Sequence, residues 1–205
     1  MGLSAKQLRA SIDSIAAIEP AFASALTRIG YPEPRISTPG YVTLLRAIVG
    51  QQVSIKAAAA IWARVDSVTG GAADPAKVAA ASEEALRSAG LSRMKALYAH
   101  SLAEEVLSGR LDLHALPKDD EEAIAALTHV KGIGRWSAEV YLLFAEGRVD
   151  IWPAGDLAVQ IEVGRILGLD SKPTEKQTRA LAEPWRPHRG AAAVFAWHHR
   201  RAEPL

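Results

Sequence analysis

Apolar residues recur along this chain every three or four positions and nowhere alternate for long, which predicts helices throughout and no convincing strand. Leu8, Ile12, Ile15 and Ile18 form one stripe that stops at Glu19-Pro20, and a second helix over 21–29 ends at Gly30, a usual C-terminal position. Residues 31–40 carry three prolines and read as a linker. A mostly apolar helix over 41–49 breaks at Gly50-Gln51-Gln52. Ser54 then caps an alanine-rich helix over 55–65 with Ile61, Trp62 and Val65 as its core face. After the Gly70-Gly71 loop come two short helices, 74–81 and 82–89. Ser92 caps a longer helix over 93–107 that Gly109 ends. Helices over 121–128 and 137–146 flank Gly132-Ile133-Gly134, and Val140, Leu143 and Phe144 share one face of the second. The last helices run over 156–167, from Thr174 (with Gln177 completing a capping box), and over 188–201. The pattern is that of an all-α protein of about ten helices, without internal repeats.

Composition narrows this picture. The 205 residues, 49% hydrophobic and 23% charged, are those of an ordinary soluble globular protein long enough to bury a real core. No apolar run reaches the ~18 residues that a membrane span needs. The N-terminus enters a helical pattern directly, without a signal-peptide pattern, and a cytoplasmic location is the expectation. The chain has no cysteine, which excludes disulfides, thiolate zinc sites and cysteine-ligated iron–sulfur clusters. The six histidines suggest no metal site, because the adjacent His198 and His199 point to different faces of a helix.

Charge says little about partners. The net charge is +1, from 24 basic and 23 acidic side chains, without the basic excess of an obvious nucleic-acid binder. Residues 1–60 hold six basic and three acidic groups, and residues 151–205 hold eight and six. The dense acidic run Asp119-Asp120-Glu121-Glu122 suits the N-terminus of a helix through its dipole.

Two local features carry candidate chemistry. Gly132 and Gly134 flank one apolar residue, allowing backbone conformations closed to other residues and removing side chains that would keep a ligand away. Ile133 can fold inward to pin the turn. The following helix then starts with N–H groups directed outward, a geometry suited to a phosphodiester. Asp156 follows W-P-A-G at a loop-to-helix junction. There it is either an N-cap or a carboxylate presented to a ligand, and the two roles are compatible.

The blocks V-K-G-I-G-R-W-S-A (130–138) and W-P-A-G-D-L (152–157), with G-Q-Q-V-S-I-K-A-A (50–58) and G-L-S-R-M-K-A (90–96), resemble the helix-hairpin-helix DNA glycosylase superfamily. The likeness reaches from roughly residue 40 to 200 and is nearest to the alkylpurine, or 3-methyladenine type II, branch. It implies two helical lobes with a cleft between them. Residues 1–34 would pack with the C-terminal lobe (149–205), and residues 35–148 would form the central lobe ending in the hairpin. The linkers at 31–40 and 147–155 suit that division.

The resemblance also assigns roles. The family's essential aspartate falls on Asp156, where a carboxylate would stabilise the cationic sugar and orient or deprotonate water. Trp136 stands where strand-cutting members carry a Schiff-base lysine, and Lys131 lies on the wrong side of the turn to replace it. This implies a monofunctional hydrolase that leaves an abasic site. Trp136, Trp152 and Trp197 are the candidate walls of a base pocket, each with core packing as the alternative. Leu157 replaces the tyrosine found beside the aspartate in some relatives, which makes the pocket less aromatic.

Gln51 and Gln52 resemble the family's gap-filling block and Leu91 a second intercalating position. Lys95, with Lys56 and Arg93, is a candidate phosphate contact. Gly132, Ile133 and Gly134 would donate N–H groups to phosphate, and the carbonyls near Val130 and Gly132 would hold a monovalent cation. No other metal and no redox or organic cofactor is implied. The expected partner is double-stranded DNA containing alkylated bases of the 3-methyladenine and 7-methylguanine type, bound by a monomer away from any membrane. No general acid stands near Asp156 in the sequence, which favours cationic lesions that leave readily. The alternatives are a non-catalytic helix-hairpin-helix DNA-binding or lesion-recognition module, and a glycosylase for another damaged or mismatched base.

Overall fold

The structure is a computed structural model and describes residues 2–203. Twelve α-helices account for most of the described residues, and no strand is present among them. They are α1 (Ala5–Ile18), α2 (Pro20–Ile29), α3 (Tyr41–Gly50), α4 (Ile55–Thr69), α5 (Pro75–Ala80), α6 (Glu83–Ser88), α7 (Arg93–Leu107), α8 (Asp120–Thr128), α9 (Arg135–Tyr141), α10 (Leu157–Ile166), α11 (Glu175–Leu181) and α12 (Arg189–Ala202). A π-helical turn, Leu142–Glu146, continues α9, and a 3-10 turn, Glu183–Trp185, follows α11. No helix is long and apolar enough to cross a membrane.

Local chemistry sets most of the boundaries. Ser54 and Ser92 accept the N–H groups of Ala57 and Lys95, at 3.2 and 3.3 Å, and so start α4 and α7. Thr174 and Gln177 form the expected capping box at α11, and Ser4 with Gln7 forms another at α1. Two boundaries differ from the sequence pattern. The helix α4 runs on to Thr69, where Gly70 takes a left-handed cap. The helix expected over 137–146 begins at Arg135 and changes to π geometry at Leu142. A shift from i→i+4 to i→i+5 bonding leaves the apolar spacing almost unchanged, so periodicity does not reveal it.

The chain divides into two compact units. One combines the N-terminal residues through Ser37 with those from Leu142 onward, and the other spans Thr38–Tyr141. In the first, Leu8, Ile12 and Ile15 of the α1 stripe are fully buried, whereas Ile18 at its end is exposed. Phe22 of α2 lies 4.9 Å from the Trp185 ring and 5.4 Å from that of Phe195 on α12, and Trp152 stands edge-on to Trp185 at 5.7 Å. α2 thus shares an aromatic core with α12, the 3-10 turn and the loop before α10. In the second unit α7 is the central element, packed on α3, α5 and α6, with Leu44, Ile48, Val65, Leu86, Leu102 and Leu127 buried around it.

Candidate active site and nucleic-acid interface

Asp156 is the N-cap of α10: its Oδ1 accepts the Val159 N–H at 2.9 Å. The same oxygen accepts the indole N–H of Trp197 at 3.2 Å, from α12. The carboxylate is therefore both a helix cap and a group held by an aromatic donor 41 residues away. Trp197 is half-buried, and its ring lies 5.6 Å from that of Phe144, itself covered by the Arg35 guanidinium.

The loop leading to Asp156 is anchored by burial and hydrogen bonds. Ile151, Trp152, Pro153 and Ala154 are buried, whereas Gly155 and Leu157 are exposed. The Asp156 N–H donates to Pro153 O at 2.9 Å, which tightens the turn. From α10, the buried Gln160 donates from Nε2 to Ala154 O at 2.8 Å, and Lys172 Nζ in turn donates to Gln160 Oε1 at 2.8 Å. Beneath them Glu162, fully buried on α10, accepts from His199 Nδ1 at 2.8 Å, Arg165 at 2.9 Å and Arg200 at 3.3 Å. Two of these three donors come from α12, so the cluster fixes the helix bearing Trp197 against the helix that Asp156 caps. Sequence reasoning missed Gln160, Lys172, Glu162 and His199. Each acts through a partner that the fold brings to it, which no local pattern marks.

Trp152 is not a pocket wall. Only 3% of it is exposed, its Nε1–H donates to Thr178 O at 3.1 Å, and its ring packs on Trp185. Its place in the aromatic core explains why the loop before Asp156 is anchored.

In the other unit the hairpin turns between α8 and α9. Gly132 has φ +86°, and a Cβ there would fall 2.2 Å from Cδ2 of Tyr98, so both backbone and space require glycine. Ile133 is 3% exposed and pins the turn inward. Its N–H, however, donates to Val130 O at 3.0 Å, and that of Lys131 goes to Ser101 Oγ at 3.1 Å. Ile133 is thus an anchor whose donor is consumed inside the turn, and the phosphate reading rests on the N–H groups of Gly132 and Gly134. A side chain at Gly134 would meet open space. Trp136, two residues on, is half-exposed on α9.

The carbonyls of Val130 and Gly132 each accept a hydrogen bond within this unit. The first accepts the Ile133 N–H, and the second accepts Gln51 Nε2 at 2.9 Å. Among the described residues, no group of three or more His, Cys, Asp or Glu side chains is placed to hold a metal ion.

The break between α3 and α4 separates its two glutamines. Gln51 turns inward to the hairpin, whereas Gln52 is exposed with φ +54°, a backbone conformation uncommon outside glycine. Val53 and Ile55 beside it are 38% and 92% exposed. Two other assignments need correction. Leu91 is 4% exposed and belongs to the core of this unit, where its N–H donates to Leu86 O at 3.3 Å and draws it against the end of α6. Lys95 is not placed as a phosphate arm: its Nζ donates to Val49 O at 2.9 Å and Gln51 O at 2.6 Å. Burial holds its pKa below the usual lysine range. Arg93, 74% exposed on its side chain, remains at the surface near Glu83.

An all-helical fold, a glycine hairpin and a capping aspartate held by tryptophan after the buried Trp152–Ala154 segment occur here in a chain whose family match places it among DNA-repair proteins. Residues 45–187 match the family model for HhH-GPD superfamily base excision DNA repair proteins, and the chain belongs to that superfamily. Among its relatives is DNA-3-methyladenine glycosylase 1 of Schizosaccharomyces pombe, 35% identical over 161 residues, a match covering 77% of this chain and 71% of that protein. The solved structure of an S. pombe 3-methyladenine DNA glycosylase in complex with abasic DNA matches with a TM-score of 0.79 at 30% identity, covering 93% of this chain and 96% of that one. A DNA-3-methyladenine glycosidase from Bacillus halodurans matches with a TM-score of 0.82 at 32% identity, covering 91% and 87%.

Proposed function

We propose that the protein is a monofunctional DNA glycosylase that hydrolyses the N-glycosidic bond of alkylated purines in duplex DNA and leaves an abasic site. The observation that carries this reading is Asp156, whose carboxylate is fixed by the Val159 N–H and the Trp197 indole. In the reaction the bond from C1′ to the purine breaks and its electron pair leaves with the base. A purine alkylated at N3 or N7 is already cationic, so it departs neutral without a proton donor. The sugar is left as an oxocarbenium-like cation, which the Asp156 carboxylate stabilises while it orients water towards C1′. Water adds at C1′ and its proton is released by way of the carboxylate.

The remaining residues fit supporting roles. Trp136, half-exposed and incapable of Schiff-base chemistry, supports hydrolysis without strand cleavage. Trp197 is suited both to orient Asp156 and to face a flipped, electron-poor base. Gln52 of the expected gap-filling block, with Val53 beside it on the strained turn after α3, is the candidate for filling the space that the base vacates. Gly132 and Gly134 grip the backbone phosphate.

The test is single-turnover release of 3-methyladenine and 7-methylguanine from methylated duplex, with the products run on a gel before and after alkali. Asp156→Asn should slow release on the order of 10²–10⁴-fold, and nicks should appear only after alkali. A wild type that binds duplex and releases neither base would shift the reading to a binding module or another lesion.

A further inference from the structure

One face of α7 reaches both the break after α3 and the hairpin before α9. Lys95, Tyr98 and Ser101 follow at three-residue intervals, so they lie along one stripe of the helix. Lys95 Nζ donates to the carbonyls of Val49 and Gln51, at 2.9 and 2.6 Å, where α3 breaks off. The Tyr98 ring occupies the space beside Gly132 that a Cβ would need, and Ser101 Oγ accepts the Lys131 N–H at 3.1 Å. Gln51 closes the circuit, since its Nε2 donates to Gly132 O at 2.9 Å. The turn carrying Gln52 and the hairpin carrying Gly132 are thus tied to one helix and to each other.

The ammonium suits this task. The last carbonyls of a helix lack intrahelical donors and sit at the negative end of its dipole, so a partly buried cation there satisfies them directly. The lysine head, a compact point charge with three donors, reaches both oxygens, and the larger planar fork of arginine is a different shape for the same space.

We propose that Lys95 is a positioning residue for base removal: through the Val49 and Gln51 carbonyls it holds the duplex-penetrating turn at Gln52 in fixed register with the phosphate-gripping hairpin at Gly132–Gly134. This rests on the glycosylase reading above. Penetration of the helix and grip on the backbone then occur as one rigid event.

The test compares wild type with Lys95→Met, Lys95→Arg, Gln51→Leu and the double variant Lys95→Met/Gln51→Leu. Three quantities are read at temperatures where each variant is folded. They are the salt dependence of affinity for a duplex with a tetrahydrofuran abasic analogue, the fluorescence of 2-aminopurine placed opposite that analogue, and single-turnover release of 7-methylguanine. Lys95→Met should leave the slope of log affinity against log salt unchanged, weaken the 2-aminopurine response and slow release about 10- to 100-fold. Lys95→Arg should resemble Lys95→Met, and the double variant should be little slower than the worse single one, because the two residues act as a unit.

A slope reduced by about one phosphate contact would overturn the proposal, as would full release by Lys95→Arg or additive losses. If Lys95→Met does not fold, Gln51→Leu cuts only the link from turn to hairpin, and an unchanged 2-aminopurine response there would also overturn it. A wild type that releases no alkylpurine refutes the activity alone, because the non-cleavable duplex still reports the salt slope and the penetration.

Discussion

Trp197→Phe separates two jobs that the structure gives to one side chain. The substitution keeps an aromatic ring against Phe144, 5.6 Å away, and deletes the indole N–H that reaches Asp156 Oδ1 at 3.2 Å. Asp156 retains its bond from Val159 N–H, so α10 keeps its cap and only the sideways orientation of the carboxylate is lost. A hydrogen bond to a carboxylate contributes about 1.5–3 kcal/mol when well formed; at this length and with Trp197 only half-buried, about 1–2 kcal/mol is the working figure. If that energy acts in the transition state, single-turnover release should slow about 5- to 30-fold. The assay is release of 7-methylguanine with enzyme in saturating excess, beside thermal melts of both proteins. Trp197→Ala, which also removes the ring, should be slower still and should weaken binding of lesion duplex. Undiminished release by Trp197→Phe would refute the orienting role. A loss equal to that of Asp156→Asn would mean that the indole does far more than hold a carboxylate.

Other perturbations follow from the same contacts. Gly132→Ala should lower the melting temperature and DNA affinity together, because its Cβ would enter the Tyr98 ring, whereas Gly134→Ala should stay within about 0.5 kcal/mol of wild type in a denaturant titration. Truncating the fully buried Phe22 to alanine should cost about 3–5 kcal/mol in denaturant unfolding, since it joins α2 to Trp185 and Phe195. Glu162→Ala should cost about 3 kcal/mol, the low end for a buried cluster because both arginines reach solvent; release should slow as Trp197 loosens, and unchanged kinetics in a folded variant would sever that link. Affinity of the wild type for duplex should fall linearly on a log–log plot against salt, and a flat line would exclude phosphate-led recognition.

Local sequence determined much of this protein. Helix starts at Ser54, Ser92 and Thr174 are contacts between residues three apart, and the apolar stripe of α1 records one buried face, so a linear reading recovers them. The same holds for Gly132, whose positive φ only glycine tolerates freely, and for Asp156, whose capping geometry is fixed by Val159. What a side chain faces across the fold was not legible in this way. Trp152, Leu91 and Lys95 each read as site residues, yet Trp185, the core around α7 and the carbonyls of Val49 and Gln51 claim them. Conversely, Gln160 and Glu162 carry no local mark of function, and packing alone placed them under the Asp156 loop and against α12. Periodicity and capping encode interactions within about one helical turn. The partners that turn a lysine inward, or bring a tryptophan to an aspartate 41 residues away, exist only after the helices have packed.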